Sequence, residues 1–146
     1  MHKITKIATY ERVQSLISHL KQAEDFLYSN PNMSLEQLTP HISTEAVDLL
    51  HDFIDHHKIS VSDRDSLHQA LTGLIVSLQS TEKITVTTAV DLSNDFISRL
   101  HAWFQKNLGV TVAIENCVDR KILGGLIIWW RGAYIDLSLS PKVTNT

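Results

Sequence analysis

The sequence predicts an α+β fold. A bundle of about four helices comes first, and a small α/β domain of strand–helix–strand–strand–strand order follows. Three observations predict it. Apolar residues recur at three- and four-residue spacing through the first half. Near Thr81 the period changes to two, in a β-branched run. Close to the end, Gly124-Gly125 leads into Leu126-Ile127-Ile128-Trp129-Trp130, then Arg131-Gly132, then Ala133-Tyr134-Ile135-Asp136, which reads as a chain reversal. The predicted domains are a helical bundle over 1–80, an α/β domain over 81–139 and a flexible tail over 140–146.

Each element has its own signal. Tyr10, Val13, Ile17, Leu20 and Leu27 share one helical face, interrupted by Glu24, and Leu16, Ala23 and Phe26 widen it. Asn30-Pro31-Asn32 ends that helix, because proline lacks the N–H and disfavours helix in the residue before it. Ser34-Leu35-Glu36-Gln37 is a capping-box pattern, and Pro40 is expected to end the short helix it starts. Thr44 is the expected cap of a helix whose face holds Val47, Leu50, Ile54 and His57. Ser62-Asp63-Arg64-Asp65 resembles another cap, followed by Leu67, Leu71, Leu74 and Leu78. Gly73 weakens that helix by about 1 kcal/mol relative to alanine, unless close packing requires it.

In the second half, Ile84, Val86, Thr88 and Val90 alternate as a strand does. Ser93 caps a helix that buries Ile97, Leu100, Phe104 and Leu108, with Gly109 at its end. Val110, Val112 and Ile114 then alternate as a second strand.

Composition excludes several classes. The net charge of −3 gives no electrostatic reason to expect nucleic acid or anionic lipid as a partner. No apolar run approaches the ~20 residues of a membrane-spanning helix. Residues 1–8 have the basic start of a signal peptide but no apolar core after it, so export is not expected. Cys117 is the single cysteine, so no internal disulfide forms, which fits a reducing compartment.

Candidate chemistry is sparse. His51, Asp52, Asp55, His56 and His57 cluster on one segment, and His51 and Asp55 are spaced to face one metal on a helix. No third ligand follows at motif spacing, so a solvated helix face is the preferred reading and no metal is expected. Cys117 lacks a local activating partner and reads as a small buried hydrophobe. Gly124-Gly125 leads into a strand instead of a helix N-terminus, so it supplies backbone freedom and does not form a phosphate loop. Adjacent Trp129 and Trp130 point to opposite faces of a strand, so a partner is one way to cover the outer ring. Trp130 and Tyr134 are the candidate interface residues. No catalytic residue and no cofactor are expected.

Three segments of the second half carry a family resemblance. They are Ile84-Thr85-Val86-Thr87-Thr88-Ala89-Val90-Asp91-Leu92-Ser93, Leu108-Gly109-Val110-Thr111-Val112-Ala113-Ile114-Glu115-Asn116 and Val118-Asp119-Arg120-Lys121-Ile122-Leu123-Gly124-Gly125. In order and spacing they resemble the C-terminal domain of the ATP synthase delta subunit family, which includes the oligomycin-sensitivity-conferring protein. The resemblance covers roughly residues 82–139. Leu137 departs from it, since the family usually has glycine between the residues matching Asp136 and Ser138. The front half departs as well, being shorter than the family's six-helix bundle.

The resemblance implies a non-catalytic stator subunit of the proton-translocating ATP synthase, bacterial in type. Its helical part would bind the N-terminal segments of the alpha subunits, and its α/β part the C-terminal helices of the b-type stalk subunits. It would lie at the cytoplasmic face of the bacterial plasma membrane and meet the membrane only through the complex. Two other classes stand beside this one: a free-standing adaptor for helical peptides, diverged from delta, and a small metal-dependent hydrolase built on the histidine cluster.

Overall fold

The computed structural model describes residues 6–60 and 64–138, apart from the side chain of Arg64. These residues fall into two compact units. One holds Glu11–Thr81 with Lys6 and Ile7, and the other holds Ala8–Tyr10 with the chain from Glu82 onward.

The helical elements are α1 (Tyr10–Ser29), α2 (Leu35–Leu38), a 3-10 turn (Thr39–His41), α3 (Thr44–His57) and α4 (Arg64–Gln79). Helix α1 buries Val13, Leu16, Ile17, Leu20, Ala23 and Leu27, the stripe its spacing predicts. Glu24 interrupts the stripe for a reason. Thr72 of α4 donates a 2.8 Å hydrogen bond to its carboxylate, so the polar break ties two helices together. The α2 capping box forms in both directions. Gln37 N donates to Ser34 Oγ, and Ser34 N donates to Gln37 Oε1. Helix α2 ends at Leu38 with Thr39 as its cap, just ahead of Pro40 as expected, and the chain continues as a 3-10 turn that holds the proline.

Helix α3 starts one residue earlier than the cap signal implied. Ser43, in extended conformation, accepts from Ala46 N at 3.2 Å, and Thr44 is already helical. Ala46, Leu49, Leu50, Phe53 and Ile54 are buried, while Val47 is half-buried and His57 is exposed. The His57 ring instead lies over Phe53, with centroids 4.1 Å apart. Leu67, Leu71, Leu74 and Leu78 of α4 are fully buried, as spaced. Each such side chain contributes about 1.5–3 kcal/mol by burial. Gly73 faces Phe53 so closely that a Cβ there would lie 2.8 Å from the ring's Cζ. The proposed Ser62-Asp63 cap, the opening residues of the chain and the 140–146 tail lie outside the described residues.

The second unit is built from β1 (Glu82–Thr88), α5 (Asn94–Leu108), β2 (Val112–Val118), β3 (Leu126–Trp130) and β4 (Ala133–Asp136). Sheet order is β2-β1-β3-β4. Strand β2 runs parallel to β1, with α5 as the crossover, and β3 and β4 run antiparallel. The core lies between α5 and one sheet face. It holds Ile84, Val86, Ile97, Phe104, Val112 and Ile114, with Leu126, Ile128 and Trp130 packed against it. Alternation gives the other face to Lys83, Thr85, Thr87, Ile127 and Trp129.

Helix α5 has both expected caps. Ser93 Oγ accepts from Phe96 N, and Gly109 takes a left-handed φ of 70°. Both strands are displaced from their patterns. β1 stops at Thr88, whose hydroxyl donates to Val90 O at 2.7 Å and turns the chain, leaving Val90 exposed. β2 begins at Val112 instead of Val110, because α5 clamps its first residue. Val112 N donates to Gln105 Oε1, and His101 Nε2 donates to Val112 O at 2.8 Å. Asn116 then staples three segments. Its Nδ2 donates to Val86 O and Thr88 Oγ1, and its Oδ1 accepts from Leu92 N, all at 3.0 Å. At the outer edge of β2, Thr9 forms a parallel bridge with Ile114, and Ile114 N donates to Ala8 O.

Candidate partner-binding surfaces

The hairpin turn is built from two residues with positive φ, Arg131 at 52° and Gly132 at 77°. That is the type I′ geometry that matches strand twist. It sets Trp129 opposite Tyr134. Their rings stack with centroids 4.7 Å apart, and they remain 46% and 53% exposed. Trp130, one residue on, turns to the α5 side and is half-buried against the core. Tyr134 thus sits on the open sheet face and Trp130 on the other. Of the two adjacent tryptophans, Trp129 is the one with the outer ring, which the sequence reading leaves open. The signal for it was present: a two-residue I′ turn fixes which tryptophan pairs with Tyr134.

Arg131 organises this end of the sheet. Its Nε and Nη2 each donate to the Glu82 carboxylate at 2.6 Å, and its guanidinium lies 4.5 Å from the Trp130 ring centre. The hydrogen bonds from Arg131 hold the Glu82 carboxyl below its ordinary pKa, against an opposing effect of burial. Trp130 Nε1 is buried near this carboxylate but outside hydrogen-bonding geometry, so Arg131 is the chief cause.

Gly125 has a φ of 73°, and Leu137 N donates to Leu126 O at 2.8 Å beside it. Gly124 lies half-buried just ahead, and a strand follows the pair. No helix N-terminus is presented there to hold a phosphate.

The other sequence candidates do not assemble. His51, Asp55, His56 and His57 are exposed along α3. Among the described residues no three His, Cys, Asp or Glu side chains converge on a point where a metal would sit. Cys117 is half-buried. Burial, and then the Glu115 carboxylate 3.8 Å away, push its thiol above the ordinary pKa, with Lys83 opposing. A raised thiol pKa is the opposite of what a nucleophile needs. Two surface depressions in the helical unit, about 620 and 240 Å³, are lined largely by polar residues such as Asn30, Gln37, Arg12 and Asp48. The larger lacks the mostly apolar lining of a small-molecule site, and the smaller is a shallow dip over Ile7 and Leu49 bordered by the charged Lys6, Arg12, Glu45 and Asp48. Among the described residues no helix is long and apolar enough to cross a membrane.

Comparison with known proteins accounts for a surface rich in aromatic groups and poor in convergent chemistry. The family profile of the ATP synthase delta (OSCP) subunit matches residues 4–146. The chain is 22% identical to ATP synthase subunit delta of Thermosipho africanus, over 97% of this chain and 82% of that one. It is 29% identical to the mitochondrial ATP synthase subunit 5 of Pichia angusta, over 94% of this chain and 77% of that one. A shorter match, 42% identical over 40% of this chain and 33% of the relative, is to ATP synthase subunit delta of Lactobacillus acidophilus. With a family match that runs through both units, the chain belongs to the ATP synthase delta (OSCP) subunit family and is a structural, non-catalytic subunit.

Proposed function

We propose that this chain is the joint at the top of the peripheral stalk of a proton-translocating ATP synthase. The catalytic head must stay still while the rotor turns, so the joint needs durable contacts at several points and no chemistry. The helical part, residues 1–80, binds the N-terminal segments of the alpha subunits. The α/β part, residues 81–139, binds the C-terminal helices of the b-type stalk subunits. Trp130 and Tyr134, with Trp129 stacked beside Tyr134, are contact residues of that part. Gly124 and Gly125 hold the backbone that shapes it. The subunit works at the cytoplasmic face of a bacterial plasma membrane and reaches the membrane only through the complex.

The observation that supports this reading most is the family match across residues 4–146, which spans the helical unit as well as the sheet. The exposed Trp129–Tyr134 stack adds to it, because aromatic residues are enriched at the centres of protein interfaces. The test is a calorimetric and fluorescence titration of the whole chain with a synthetic alpha-subunit N-terminal peptide from the same organism. Saturable one-to-one binding with a negative heat-capacity change is expected. No binding at high micromolar peptide overturns the head-binding role.

A further inference from the structure

We propose that the solvent face of α5 is a seat for one stalk helix, and that this helix brings acidic side chains to it. The inference rests on the stator reading for the source of the helix. Its location and chemistry come from α5 itself.

Helix α5 already has a complete inner face. Ile97, His101 and Phe104 are buried there, and Leu100 and Leu108 pack on the same core. On the side away from that face, Phe96, Arg99, Trp103 and Lys106 follow one another at spacings of three, four and three. Such spacing keeps all four within about 80° of arc on a 3.6-residue helix. Phe96 is 42% exposed and Trp103 is 58% exposed, so neither is spent on the core. Two half-exposed aromatics two turns apart form a row of anchors, the arrangement that receives the apolar side of an amphipathic helix. A seven-residue interval is also the step at which a helix lying nearly parallel repeats its apolar positions.

Charge selects the occupant. The charged residues of α5 are Asp95, Arg99 and Lys106. Arg99 is paired with Asp95 one turn before it, and both side chains are strongly exposed. An exposed pair of that kind is weak, so a partner carboxylate can replace Asp95. Lys106 lies at the far end of the row, beyond Trp103. The row therefore offers two cations interleaved with two aromatics, and its one anion lies at the edge of the first turn. An acidic amphipathic helix complements it, and a basic one is repelled.

The test uses the full chain and a synthetic peptide of the C-terminal helix of the b-type subunit from the same organism, measured by calorimetry. Circular dichroism checks that each variant is folded. Phe96→Ser with Trp103→Gln is expected to weaken binding roughly tenfold or more. Arg99→Glu with Lys106→Glu is expected to do the same, and a peptide whose acidic residues are changed to lysine is expected to restore the affinity of that variant. The restoration cannot arise from misfolding. Wild-type binding that both double variants match overturns the α5 seat and leaves the stator reading in place. Failure of the wild-type chain to bind the peptide overturns both.

Discussion

The backbone of Leu137 occupies the space that a side chain on Gly125 would need. A Cβ at residue 125 would lie 2.2 Å from Leu137 O, and the backbone there has a φ of 73°. Two separate restrictions, steric and conformational, thus fall on one glycine. Leu137 itself is free to be leucine, because its side chain is exposed and only its backbone faces Gly125. Gly125→Ala is expected to cost about 3 kcal/mol of stability. The check is the urea midpoint, with the slope against denaturant unchanged.

Gly73 gives a finer test, because two effects oppose each other. Alanine at a helix interior gains about 1 kcal/mol in propensity. Here the new methyl would meet the buried Phe53 ring at 2.8 Å, and overpacking costs about 1–3 kcal/mol. Gly73→Ala is expected to be destabilising in the wild-type chain and stabilising when Phe53 is changed to Leu. Equal effects in the two backgrounds would show that the ring is not the obstacle.

His101 makes the α/β unit sensitive to acid. Burial lowers its pKa, and the hydrogen bond to Val112 O raises it by a smaller amount. The carbonyl accepts only, so Nε2 carries the hydrogen and Nδ1 takes the next proton. The folded pKa is depressed, so the unfolded chain binds the proton first. Stability is complete above the ordinary imidazole value of about 6.5, and falls as pH drops from there toward the depressed folded value. His101→Gln is expected to flatten that slope, read from urea midpoints between about pH 7.5 and 5.

Arg131 combines a left-handed backbone with a bidentate grip on Glu82. Asparagine accepts the same φ and suits the first position of a type I′ turn. Arg131→Asn is therefore expected to keep the hairpin while releasing the carboxylate. The Glu82 carboxyl then titrates nearer its ordinary value, which an NMR titration of its side chain reports directly. An unchanged Glu82 titration would assign its low pKa to some group other than Arg131.

What the sequence revealed in advance was local. The Ser34–Gln37 box, the Ser93 cap, the left-handed Gly109 and the Arg131-Gly132 turn each lie within a few residues and follow from short-range sterics and hydrogen bonding. The α1 and α4 stripes were legible for the same reason. Element ends were misplaced where two neighbouring residues compete for one role. Ser43 displaced Thr44 as a cap because its backbone is extended, and Val90 left the strand because Thr88 turned on it. The three-way staple of Asn116 joins residues far apart in the chain, and neither it nor the clamp that α5 places on Val112 is announced by a spacing rule. Which of the two tryptophans lies beside Tyr134 required the pairing register.

The bridge between Thr9 and Ile114 sets an order of events as the protein is made. Residues 8–10 leave the ribosome well before the strand they lie beside, which emerges about a hundred residues later. At roughly 5–20 residues per second they wait several seconds or longer for that partner. Closing so distant a contact is a slow, late step in folding. A nascent or truncated chain that carries only one of the two segments leaves the outer edge of β2 open to whatever extended strand arrives first.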